Sequence, residues 1–159
     1  MPRLLLTLLA FSAAVAAPGM AVANGCRLGA GWTPSQLHGR GPDGAPSGPA
    51  IDLLRLLADD AGCTLDLIEM EPPALADALR AGRLDVTVGL APEDDVRAIV
   101  LAHLPAALTG ERGGWLLLSG RSLAPPLAAR ISAAAERVLA DGRAELVVQR
   151  YRALAAGGA

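Results

Sequence analysis

The chain has 159 residues, 52% of them hydrophobic, and a formal net charge of −2 from fourteen arginines, no lysine and sixteen acidic residues. That balance provides no basic patch for nucleic acid or for an anionic membrane surface. The length allows one domain with a real core and little more.

In chain order, the first segment is Arg3, an apolar run from Leu4 to Ala17, and a small-residue stretch ending Ala21-Val22-Ala23. This is the pattern of a secretory signal peptide, residues 1–23, cleaved after Ala23. The apolar run falls short of the roughly 20 residues that a membrane span needs. A periplasmic location therefore follows, with no stable membrane insertion after signal cleavage. Lipid attachment at Cys26 is disfavoured because Ala23-Asn24-Gly25 lacks the leucine expected three residues before the cysteine.

The mature chain then alternates. "CRLGAGW" from Cys26 reads as a strand, and the following Gly- and Pro-rich stretch to Pro49 reads as a loop. A helix starts at Pro49 with Ile51, Leu54, Leu57, Ala58 and Ala61 on one face, and Gly62 suits its stop. "CTLDLIEM" is a second strand. Pro72-Pro73 opens a second helix with Leu75, Ala78 and Leu79 inward and Gly82 at its end. "LDVTVGL" is the third strand, Ala98 to Gly114 is irregular, and "WLLLS" is the fourth strand. Two helices close the chain, Pro126 to Ala140 with Leu127, Ile131, Ala134 and Val138 aligned, and Arg143 to about Leu154 with Val147, Tyr151 and Leu154 aligned. Asp141-Gly142 separates them.

Strands and helices joined by short links in this order predict an α/β fold, a three-layer arrangement of a parallel sheet, mixed at the edge, with helices on both faces. Residues 24–155 form the single lobe, and 156–159 are a frayed tail.

Cys26 and Cys63 each begin an apolar run, so neighbouring parallel strands would set the two sulfurs side by side. A disulfide is the main reading for a chain bound for an oxidising compartment. A pair of buried thiols is the alternative. No histidine stands close enough to either for a metal site.

These elements carry a resemblance. Trp32 and Pro34 after the first strand, "GPAIDLLRLLADDAGCTLDL", "ALRAGRLDVTVG" with Asp85, and "LAARISAAAERVLADGRAELVVQRYR" resemble, in order and spacing, the periplasmic solute-binding proteins for polar amino acids. These are soluble receptors of ABC importers (family 3). The resemblance implies lobe 1 of a type 2 periplasmic binding protein. Such receptors have a second lobe inserted between two crossing strands, with ligand clamped between the lobes. Here the chain runs from Arg97 through Leu108 and Trp115 directly into the closing helices, which implies one lobe lacking the other.

The resemblance also implies a site. In the family, an arginine twelve residues after the third strand's aspartate grips the ligand carboxylate, and Asp85 to Arg97 has that spacing. A guanidinium offers a planar two-pronged donor at the carboxyl end of parallel strands, where such sheets bind ligands. A solvated arginine paired with Glu93, Asp94 or Asp95 is the alternative. Gly89 and Leu90 occupy positions where amino-acid binders carry hydroxyls, and Pro92 offers no N–H. Trp32 either stacks on a ligand or closes the core from a loop. The expected ligand set is Arg97, Trp32, Gly89 and Leu90.

No catalytic constellation is visible, so no enzyme, metal or cofactor is expected. His38 and His103 have no metal-ligand spacing, the serines lack a G-x-S-x-G elbow, and "GRGPDG" does not link a strand to a helix. Two function classes follow. One is a module that binds a small anionic or amino-acid-like solute weakly, with an ABC permease as partner. The other is a periplasmic accessory protein that docks a partner through the old cleft face, a reading that Leu90, Leu101 and Leu104 on that face would favour.

Overall fold

The computed structural model describes residues 25–35, 37–90, 98–109 and 113–157. The signal-peptide segment and Arg97 lie outside them.

Strand β1 (Cys26–Trp32) is the spine of a five-stranded sheet. The chain then forms a small ribbon, β2 (Gly39–Arg40) against β3 (Pro46–Ser47), and helix α1 (Pro49–Asp60). Strand β4 (Cys63–Glu69), helix α2 (Pro72–Arg80) and strand β5 (Val86–Leu90) follow. Next come β6 (Ala98–Leu104), the short α3 (Ala106–Thr109), β7 (Gly114–Ser119), α4 (Pro125–Ala140) and α5 (Arg143–Gly157). The sheet order is β4-β1-β5-β7-β6, with β1 parallel to β4 and β5, and β7 antiparallel to both of its neighbours.

The predicted α/β architecture is present. Leu28, Ala30, Val86, Leu116 and Leu118 face a core covered by α1, α4 and α5. The alternate residue Leu117 joins Leu75, Ala78 and Leu79 under α2 on the opposite face. Period-two alternation along β7 therefore serves two cores at once. The helix faces read from the sequence are the buried ones: Ile51, Leu54, Leu57 and Ala58 of α1 and Ile131, Ala134 and Val138 of α4 are nearly inaccessible.

Four details differ from the sequence reading. Ala98–Leu104 is a strand: it is an edge strand with Ile99 and Val100 exposed, and a register shift between Val100 and Ala102 blurs its alternation. The Gly/Pro-rich stretch contains the β2–β3 ribbon, because Gly44, in the left-handed region at φ 77°, lets the chain reverse on itself. Leu154 is 63% exposed, because α5 packs through Ala144, Val147 and Val148 and has turned away from the core by its last turns. Leu104 is fully buried rather than on an open face, and Leu101 is half-buried against the main core.

The β1–β4 pairing runs without a break from Cys26 opposite Cys63 to Trp32 opposite Glu69. The two cysteines form a disulfide, with Cα atoms 4.4 Å apart. On the other side of β1, Asp85 extends the ladder below the first regular pair. Its backbone N–H donates to the Gly29 carbonyl at 2.8 Å, and its Oδ2 accepts from the Gly29 N–H at 2.8 Å.

Two polar knots fix α4 and α5 to α1. At the C-terminal end of α1, Asp60 takes Arg137 and Arg143, each at 2.7 Å, and these guanidiniums, Arg143 first, hold its carboxyl below the ordinary value. At the N-terminal end, the Tyr151 hydroxyl accepts from the Gly48 N–H at 3.1 Å and donates to Asp52 at 3.0 Å.

The disulfide closes a long loop between strands that pair anyway, so its removal acts mainly on the unfolded chain. Cys63→Ser, or reduction of the native protein, is expected to lower the unfolding free energy by about 3 to 4 kcal/mol while leaving the far-ultraviolet dichroism unchanged. Urea titration of the oxidised and reduced protein measures the difference.

Candidate functional site

The carboxyl ends of β1 and β5 meet the start of α1, the start of α2 and the end of α3 around a depression of about 180 Å³. Trp32, Gly89 and Leu90 all line it. Arg97, the fourth residue of the expected set, lies outside the described residues, as do Pro92, Glu93, Asp94 and Asp95.

Trp32 ends β1 and is only 4% exposed. The Arg40 guanidinium carbon stands 5.9 Å from its ring centroid, within cation–π range, and Arg40 also pairs with Glu69 at 2.6 Å. Its indole Nε1 is buried with no hydrogen-bond partner. Trp32 therefore forms the base of the depression rather than a freely presented ring.

Gly89 marks a register shift between Val88 and Leu90 in the β5–β7 pairing, and its φ of 101° is one that side-chain-bearing residues rarely adopt. Among the described residues nothing lies within 4 Å of where its Cβ would be. Leu90, 9% exposed, turns into the smaller core with Leu75 and Leu117.

The sequence reading passed over His38 and Ser35, which form the other wall. Ser35 Oγ accepts from the backbone N–H groups of Leu37 and His38 at 3.3 and 3.2 Å, a local turn that orients the imidazole. His38 Nδ1 lies 3.0 Å from Ser35 Oγ, and Nε2 lies 3.1 Å from the Leu108 carbonyl and 3.3 Å from the Ala50 N–H. One ring thus joins the ribbon loop, α1 and α3. Gly48 makes this approach possible: its φ is 143°, and a Cβ there would stand 2.5 Å from the Leu37 carbonyl oxygen and 2.6 Å from His38 Cδ2. The clue available in the sequence was Ser-x-x-His after Trp-Thr-Pro, a turn pattern that brings a hydroxyl back to its own loop.

The other histidine, His103, lies on β6 against Trp115, with ring centroids 4.7 Å apart and edge-to-face. Among the described residues no three His, Cys, Asp or Glu side chains gather to hold a metal ion. No described helix is long and apolar enough to cross a membrane.

No protein-family model matches the chain, and no curated protein matches it in sequence. Solved structures do. An ancestral arginine-binding protein bound to arginine superposes with a TM-score of 0.58 at 12% identity, over 79% of this chain and 97% of that one. The fold is that of a periplasmic-binding-protein lobe. The L-cystine solute receptor of Neisseria gonorrhoeae, in an unliganded open conformation, gives 0.58 at 14% identity over 80% and 93%. The arginine-bound form of domain 1 from TmArgBP gives 0.54 at 16% over 70% and 92%. At these identities the likeness is one of fold.

Burial pushes the His38 pKa below its ordinary value of 6.5, opposed in part by the Leu108 carbonyl. The folded state thus favours the neutral ring, whose Nε2 can accept from the Ala50 N–H. A depressed pKa means that the unfolded chain binds the proton more readily. The contribution of His38 is therefore full above pH 6.5 and is lost as pH falls through the lower, folded value. Denaturation midpoints are expected to fall between pH 7.5 and 5 in the native protein and to fall less in His38→Gln. Asp60 and Asp66, whose carboxyls are also held low, act only below their ordinary value of 3.8.

Proposed function

We propose that the chain is a periplasmic solute-binding module that takes a small anionic or amino-acid-like solute at the carboxyl ends of β1 and β5 and works with an ABC importer. The observation that carries this reading is the depression bounded by Trp32, Gly89 and Leu90, which lies where parallel sheets of this kind offer ligands a crevice. The resemblance adds Arg97 as the partner of the solute's carboxylate. The signal-peptide pattern of residues 1–23 and the disulfide support export to the periplasm.

A single lobe suffices in principle, since one of the fold neighbours is itself an arginine-bound single domain. The affinity has a physical limit, however. Clefts closed on both sides bury about 70 to 90% of a small ligand. If a second wall would supply two or three charge-assisted hydrogen bonds at about 1.5 to 3 kcal/mol each, its absence weakens binding by several orders of magnitude. Millimolar dissociation constants are the expected range for one lobe acting alone. Of the leucines that would favour the alternative of a protein-docking accessory, Leu104 is fully buried and Leu101 is half-buried against the main core.

A thermal-shift screen of the secreted protein against amino acids, dicarboxylates and other small anions tests the reading, with Arg97→Ala as control. A ligand at about 100 times its dissociation constant adds about 2.7 kcal/mol. That corresponds to a rise of several degrees in the midpoint for a domain of this size. The expected result is a shift with at least one carboxylate that disappears in Arg97→Ala. A well-folded protein that responds to no compound would overturn the proposal.

A further inference from the structure

We propose that a second copy of this chain docks on the outer face of α5, the two α5 helices packing antiparallel about a two-fold axis so that Leu154 of each copy enters a slot between α1 and α5 of the other. This surface belongs to the outer helical layer, and its pairing is independent of whether a solute binds.

Helix α5 buries Ala144, Val147 and Val148 and turns Leu146 and Leu154 outward. At 62% and 63% these two are the most exposed large apolar side chains among the described residues. A single exposed leucine is ordinary. Here the exposed leucine has a matching receptacle on the same face. Leu56 of α1 and Arg143, Leu146, Val147 and Arg150 of α5 line a slot of about 280 Å³. Leu154 follows Arg150 by one turn and Val147 by two, so it continues the stripe of α5 that walls the slot. In an antiparallel pair related by a two-fold, like stripes face each other, and every contact is made twice. A helical side chain leans toward the start of its own helix, which carries Leu154 from the last turns of one copy to the level of the slot in the other.

Charge supports the same arrangement. The other border of the outer face carries Glu145 and Arg152, both exposed and paired only loosely within the chain, at 3.9 Å. In the antiparallel pair this border also meets itself, so Glu145 of each copy lies opposite Arg152 of the second copy. The seam between the two borders is Leu146, Gln149 and Ala153, which carries no charge. The arginines of the slot are already neutralised from beneath: Asp60 and Asp141 hold Arg143 at 2.7 Å and Asp52 holds Arg150 at 3.2 Å. Their approach across the two-fold therefore brings no bare like charges together. A contact of a few helical turns falls below the roughly 1,200 Å² at which stable interfaces begin, so the dimer is weak and reversible.

Sedimentation velocity of the secreted protein over rising concentration tests the pairing. The expected result is a monomer–dimer equilibrium with a micromolar dissociation constant, weakened at least about ten-fold by Leu154→Asp at its exposed position. Glu145→Arg and Arg152→Glu, each alone, set like charges against each other across the two-fold and should weaken the dimer by roughly five-fold. An equimolar mixture of these two variants should pair as well as the native chain, because each supplies the charge that the other needs. Mixing cannot restore the contact within one chain, so the mixture reads the contact between copies alone. A protein that stays monomeric up to about 1 mM, a dimer that Leu154→Asp leaves intact, or single variants that the mixture does not rescue would overturn the proposal. Circular dichroism checks each variant for fold, and if Leu154→Asp fails to fold, the charge variants decide.

Discussion

The unbroken parallel pairing of β1 with β4 is the constraint on which the rest of the molecule depends. It starts at a covalent bond between Cys26 and Cys63 and ends with Trp32 opposite Glu69. A slip of one residue would turn Leu28 and Ala30 out of the core and point Arg27 and Gly29 into it. It would also move Trp32 away from the depression it floors. The Asp85 carboxylate secures the other side of the same strand through Gly29. Both flanks of β1 are thus held at its amino-terminal half, and the carboxyl end is positioned by extension from those anchors.

Where the sequence repeats with the period of one element and buries one face, the fold was legible. α1, α2 and α4 declare themselves by their apolar spacing and by the prolines that begin them. β6 escaped notice because an edge strand that is half exposed, and interrupted by a register shift, lacks a clean period of two. Leu154 was misassigned because helical spacing says which residues align but not where the neighbouring element ends. The site was legible only in part, for a related reason. Trp32, Gly89 and Leu90 sit at strand ends, whose positions follow from the topology. His38 and Ser35 come from a loop whose path is set by Gly48 and by contacts with α1 and α3, and spacing carries no trace of such contacts.

The connection between β6 and β7 opens with the α3 turn, and the two strands pair antiparallel along their length. At this end Gly114 lies so close to β5 that a Cβ on it would stand 2.9 Å from Gly89 Cα and 3.0 Å from Thr109 Cβ. The bulge at Gly89, the start of β7 and the end of α3 are therefore one packed unit at the rim of the depression. Any change in this turn reaches the site through contact rather than through distant strain.

The exclusive use of arginine as the basic residue has a consequence for the shape of the stability profile. The ties from α4 and α5 to Asp60, and from Arg150 to Asp52, are all guanidinium–carboxylate pairs. A guanidinium keeps its proton at every pH at which a protein is handled, whereas an ammonium would begin to lose it in moderately alkaline solution. These fastenings therefore have no alkaline limit of their own and can be undone only from the acid side, where the carboxylates take up protons. In its ion pairs the lobe is built to be sensitive in one direction, tolerant of base and responsive to acid.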